Sequence, residues 1–199
     1  MKANARAPLA CMLMLTVSTA ATAAGANSPL EYVDEETGVT VTVVGRPLVF
    51  EHQRAAANEW RSDGSRDYVT LAAAAVDRAG KLSYLLIVYF WSVGVSEPSE
   101  PARLAREPLV FELQERRIEL APQGGSAREA GISAPVHRPS FGPVAPAVYA
   151  IDLPTMSLIA ESAHPALYCG AKSAQVKYEL FEDRLPALRE LLRRLNDTN

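Results

Sequence analysis

Eight consecutive residues, Tyr84–Trp91, are all branched or aromatic and leave no polar face. Alternate residues of a strand point to opposite sides, so a run of this kind suits a central strand covered on both faces. It is much shorter than the roughly 20 apolar residues of a membrane-spanning helix. Tyr68–Val76 precedes it as a second strand. Asp77, Arg78, Ala79 and Gly80 lie between, with Gly80 supplying the positive φ of a bulged hairpin loop. Ala72–Ala75 leave room on the first arm for a helix or second layer to approach closely.

Further strands are read around this hairpin. From Leu30 to Phe50, Val39, Val41 and Val43 alternate with Thr40, Thr42 and Val44 after a turn at Thr37 and Gly38, and Leu48–Phe50 follows Pro47. Glu51–Arg66 and Gly94–Glu107 read as polar loops. Leu109–Leu113 and Arg117–Leu120 form a second hairpin about Gln114, Glu115 and Arg116. Pro47–Glu51 and Pro108–Glu112 both spell Pro-Leu-Val-Phe-Glu, with Gln53 and Gln114 two residues on. A duplicated strand and two independent strands remain open as explanations. Ala121–Pro146 is rich in proline and glycine and long for a structureless connection, so it is read as either functional or mobile. Val148–Ile151 then reads as a short strand, and Asp152 with Pro154 starts a helix. Strands at Leu167–Cys169 and Gln175–Phe181 follow. A terminal helix with Asp183 as N-cap carries Leu185, Leu188, Leu191, Leu192 and Leu195 on one stripe.

The N-terminus has the three-part layout of a secretory signal peptide: Lys2 and Arg6, an apolar run from Leu9 to Val17, and small residues to Ala26. An apolar core this short does not span a membrane. Cys11 precedes most of that core, which argues against a lipid anchor. Cleavage is expected between Ala24 and Asn27. Removing residues 1–26 takes away Lys2 and Arg6 and no acid, so 20 basic residues become 18 against 23 acidic ones, a net charge of −5. That balance gives no attraction to nucleic acid or anionic membrane. Residues 27–199 make one domain, and Cys169 is their only cysteine, so no internal disulfide forms.

The motifs that usually carry chemistry are missing. The sequence has no H-E-x-x-H, no C-x-x-C, no G-x-S-x-G and no glycine-rich phosphate loop. His52, His137 and His164 lack the local spacing of a metal site, so neither metal nor cofactor is expected. The one local pair that could form a nucleophile and base is Cys169 with His164, five residues apart. His137 beside Arg138, and Trp60 beside Arg61, are the residues best suited to contact a partner from a loop.

Asp34-Glu35-Glu36-Thr37-Gly38-Val39-Thr40-Val41-Thr42, the Pro-Leu-Val-Phe-Glu strand and the closing strands and helix resemble small uncharacterised bacterial exported proteins. The resemblance implies a periplasmic or secreted location and transfers no catalytic or ligand residue. The expected fold is α+β: a mainly antiparallel sheet or sandwich over residues 30–151, with a helix–hairpin–helix unit over 152–196 capping it. The expected role is a non-catalytic binding or assembly module, acting on another envelope protein through a sheet edge or the 121–146 loop. The alternative is a small periplasmic enzyme built on Cys169 and His164.

Overall fold

The longest strand pair is the hairpin around Ala79 and Gly80. In the computed structural model it joins Arg66–Arg78 to Lys81–Val93, with Arg78 paired to Lys81. The connection is therefore a two-residue turn and not a bulged loop. Ala79 (φ 54°) and Gly80 (φ 84°) both take the left-handed conformation that matches the twist of the flanking strands, and Asp77 Oδ1 accepts the Gly80 N–H at 2.7 Å.

The structure describes residues 25–53, 66–94, 99–114 and 116–198. Most of the expected leader, including Cys11, and the segment carrying Trp60 and Arg61 lie outside the described residues. In chain order the elements are β1 (Leu30–Val33), β2 (Thr40–Val43), β3 (Leu48–Gln53), β4 (Arg66–Arg78), β5 (Lys81–Val93), α1 (Ser99–Leu104), β6 (Leu109–Leu113), β7 (Arg116–Leu120), β8 (Pro122–Gly124), β9 (Val144–Ala150), α2 (Leu153–Glu161), β10 (Ala166–Cys169), β11 (Val176–Glu182) and α3 (Leu185–Thr198). The α+β class holds: the architecture is mostly antiparallel sheet with a few helices, one of them C-terminal.

The strands form one sheet in the order β7-β6-β10-β11-β3-β4-β5-β9-β8, with every pairing antiparallel. β4 is long enough to hold two partners along one edge. β3 pairs with Arg66–Leu71 and β2 with Ala74–Asp77, and Val44 N–H donates to the Ala73 carbonyl at 2.9 Å between them. Gly45 makes that bend: a Cβ there would lie 2.2 Å from the Ser28 carbonyl oxygen. The two ends of the sheet order, β7 and β8, are separated in the chain only by Ala121. The sheet thus curls into a nearly closed barrel and not a sandwich. The β10–β11 hairpin is inserted into it between β6 and β3, so it forms part of the wall.

The register explains why β4 and β5 are buried on both sides. Val69, Leu71 and Ala73 share a face with Phe90, Val88 and Leu86, while Thr70, Ala72 and Ala74 share the other with Tyr89, Ile87 and Leu85. The first face looks inward. Over it stand α2, whose Leu158 shares a cleft with Leu113, and α3, whose Glu190 and Arg193 share a cleft with Thr42. The second face is overlaid by the 121–146 segment, whose Ile132 and Pro135 share a hollow with Tyr89.

Segment 121–146 differs from a structureless loop at both ends, since β8 and the start of β9 fall within it, and Ile132 and Val136 are buried. The polar stretch after Gly94 holds α1, with Pro101 in the first turn, where a missing N–H costs no hydrogen bond. Asp152 caps α2 as expected, its side chain accepting the Thr155 N–H at 2.8 Å. Asp183 sits one position further out from α3 than an N-cap and accepts the Leu185 N–H. The α3 leucine stripe is buried throughout. Each such side chain contributes up to roughly 1.5–3 kcal/mol.

Candidate functional site

The Asp34–Gly38 turn is the anchor of the 121–146 segment. Asp34 lies at the end of β1 and is only 3% exposed. Its Oδ1 accepts the N–H groups of Glu36 and Thr37, both at 3.1 Å, which folds the turn. Its Oδ2 accepts the Ser133 N–H at 2.7 Å and the Ser133 hydroxyl at 2.8 Å. The Thr37 hydroxyl donates to the Gly131 carbonyl at 2.6 Å, and Arg128 pairs with Glu36 at 2.7 Å. The Ser133 backbone N–H, with the Ser133 hydroxyl and the Thr37 donors adding to it, holds the Asp34 carboxyl down at about 2 against the opposing effect of burial.

His137 fastens the same segment further along. Its Nε2 lies 2.7 Å from the Val44 carbonyl, and since a carbonyl only accepts, Nε2 carries the proton. The residue is half-buried with φ 52°. It acts as a tie to the β2–β3 bend, while neighbouring Arg138 is exposed and makes no ion pair among the described residues. Tyr89, Ile132, Pro135, Pro146, Arg128 and Arg138 line a hollow of about 170 Å³ above the sheet. Burial pushes the Tyr89 phenol up, opposed by its hydrogen bond with the Val136 backbone and by Arg138. Phe141, further along the segment, is 73% exposed.

Cys169 and His164 occupy different environments. Cys169 is fully buried on β10, opposite Leu109 and Val176, and burial raises its thiol far above the ordinary range. A thiol held protonated is a poor nucleophile. His164 is exposed in the turn before β10, and no hydrogen bond links it to Cys169. His52 packs its ring against Tyr178, centroids 5.6 Å apart, with Nδ1 2.9 Å from the Lys177 carbonyl. Among the described residues, no three of His, Cys, Asp and Glu converge where a metal ion could sit. None of their helices is long and apolar enough to cross a membrane.

No family model, curated protein or solved structure matches this chain. The site is therefore read from its own geometry. Sequence reasoning singled out His137 and missed Asp34, Ser133 and Tyr89. An aspartate opening a turn that ends in Thr37 and Gly38 signals a local cap. Nothing near Asp34 signals that its second oxygen holds Ser133.

Proposed function

We propose that this chain is an exported bacterial envelope protein, periplasmic or secreted, that works as a non-catalytic binding or assembly module. Its recognition surface is the outer side of the 121–146 segment, presented to another envelope protein. The observation that supports this most is the buried Asp34 carboxylate gripping Ser133. A long connection fastened in this way displays Arg138 and Phe141 in a fixed arrangement, and pre-ordering lowers the entropy lost on binding. Aromatic and arginine side chains are those that most often dominate contact energies. On this reading residues 152–196 act as a helix–hairpin–helix unit that completes the scaffold. The alternative of a small periplasmic enzyme finds less support, because its named nucleophile is enclosed and its named base is on the surface.

Deleting the segment is a poor test, because it removes β8 and the buried Ile132 and Val136. A photo-crosslinking residue at position 141, expressed in a bacterial host, is the better probe. Adducts to a single identified envelope protein are expected, with loss in Arg138→Ala and none from a crosslinker at exposed Leu82. Equal labelling from both positions would overturn the binding surface. Export is tested separately by mass spectrometry of the mature N-terminus, expected between Ala24 and Asn27. A full-length chain retained in the cytoplasm would overturn it.

A further inference from the structure

The inner side of the barrel carries a second feature, independent of the 121–146 segment. A cleft of about 340 Å³ opens between the β6–β7 turn and the last turn of α2, lined by Leu113, Gln114, Arg116, Leu158, Glu161 and Ser162. Its volume lies at the small end of the range for metabolite pockets. Ser162, the C-cap of α2, is 5% exposed, and its hydroxyl has no hydrogen-bond partner among the described residues. Buried hydroxyls are nearly always satisfied, so one left without a protein partner beside a cleft is free to bond a group that enters it.

The charges around it are separated. Arg116 and Glu161 face the same cleft, both exposed, and neither makes an ion pair with the other or with any described residue. Glu161 stands at the C-terminal end of α2, where the helix dipole favours a positive group. The carbonyls of Leu158 and Ile159 are taken by the Ser162 N–H and that of Ala160 by the Arg189 side chain, so the helix end already holds a cation and the Glu161 carboxylate is the group left to take a second one. The Arg116 guanidinium suits a carboxylate. Leu113 and Leu158 supply apolar walls.

We propose that this cleft binds a free α-amino acid with an apolar side chain. Arg116 takes the carboxylate, Glu161 takes the ammonium, and the Ser162 hydroxyl completes the hydrogen bonding. Leu113 and Leu158 hold the side chain.

Titration of the ¹⁵N-labelled mature chain with the L- and D-forms of alanine, valine and leucine, each to about 10 mM, reads binding down to millimolar affinity. Shifts centred on the amides of Gln114, Arg116, Glu161 and Ser162 are expected with at least one of them. The matching amide, which lacks the carboxylate, and the matching carboxylic acid, which lacks the amine, are each expected to bind about ten-fold or more weakly. Arg116→Gln and Glu161→Gln, both at exposed positions, should weaken binding by about the same factor without moving the melting temperature. Ser162→Ala should weaken it while leaving the protein at least as stable, since it removes an unsatisfied group. The proposal is overturned if none of the amino acids shifts these amides. It is equally overturned if the amide or the acid alone binds as well as the amino acid, or if Ser162→Ala leaves affinity unchanged, in which case the hydroxyl serves only a bound water.

Discussion

Phe50 and Phe111 meet edge to face in the core, their ring centroids 6.4 Å apart and their planes at 71°. They are the phenylalanines of the two Pro-Leu-Val-Phe-Glu segments, and both are fully buried. The two segments sit on either side of the β10–β11 hairpin, with Phe111 opposite Leu167 and Phe50 opposite Leu180. The repeated sequence thus occupies matching places about that hairpin, which equal local spelling alone does not require.

Truncating either ring should cost about 3–5 kcal/mol, the usual loss for a buried phenylalanine cut to alanine. Phe50→Leu and Phe111→Leu should cost less singly. In a double-mutant cycle by urea denaturation they should show a coupling of about 0.5–1.5 kcal/mol. Strict additivity would mean that the rings are neighbours without energetic consequence.

Acid should loosen the Asp34 clamp. Its folded carboxyl is held at about 2, below the roughly 3.9 of an unfolded aspartate. The lowered value means that its contribution is complete above about pH 4 and is lost as pH falls from there towards 2. Denaturation curves measured across this window should converge for the wild type and Asp34→Asn as pH falls and stand apart at pH 6. Parallel curves at every pH would remove the clamp from the account.

At position 137 the usual ranking of alanine above glycine should reverse. Both His137→Ala and His137→Gly lose the bond to Val44, worth about 1 kcal/mol. Only glycine is relaxed at φ 52°. His137→Gly should therefore be the milder change by urea midpoint, and a milder alanine variant would contradict the left-handed backbone.

Cys169 should resist labelling. A chain beginning at residue 27 has no other thiol, and with the side chain buried and its ionisation suppressed, a disulfide reagent at neutral pH should react only through unfolding. The rate should then rise with denaturant in step with global stability. Rapid modification of the native protein would revive the pairing with His164.

What was legible in the sequence was local. The β4–β5 hairpin, the Asp152 cap and the leucine stripe of α3 each announce themselves within a few residues through alternation, turn chemistry or helical spacing. The pairings of β6 with β10 and β3 with β11 do not, because these partners lie far apart in the chain and alternation marks a strand without naming its neighbour. The same reason hid the clamp. Asp34 and Ser133 are 99 residues apart, and each alone looks like an ordinary polar residue near a turn. Arg116, Glu161 and Ser162 belong to no spaced motif and share a cleft only because β6 and α2 are adjacent in the fold.

The insertion of β11 beside β3 also fixes when the protein can become itself. Phe50 finds its neighbour Leu180 only after almost the whole chain is available, and contacts so far apart are slow to form. A partly synthesised chain lacks the strands that complete the barrel wall. If the chain is exported as proposed, that delay would keep it unfolded until its last strands are present.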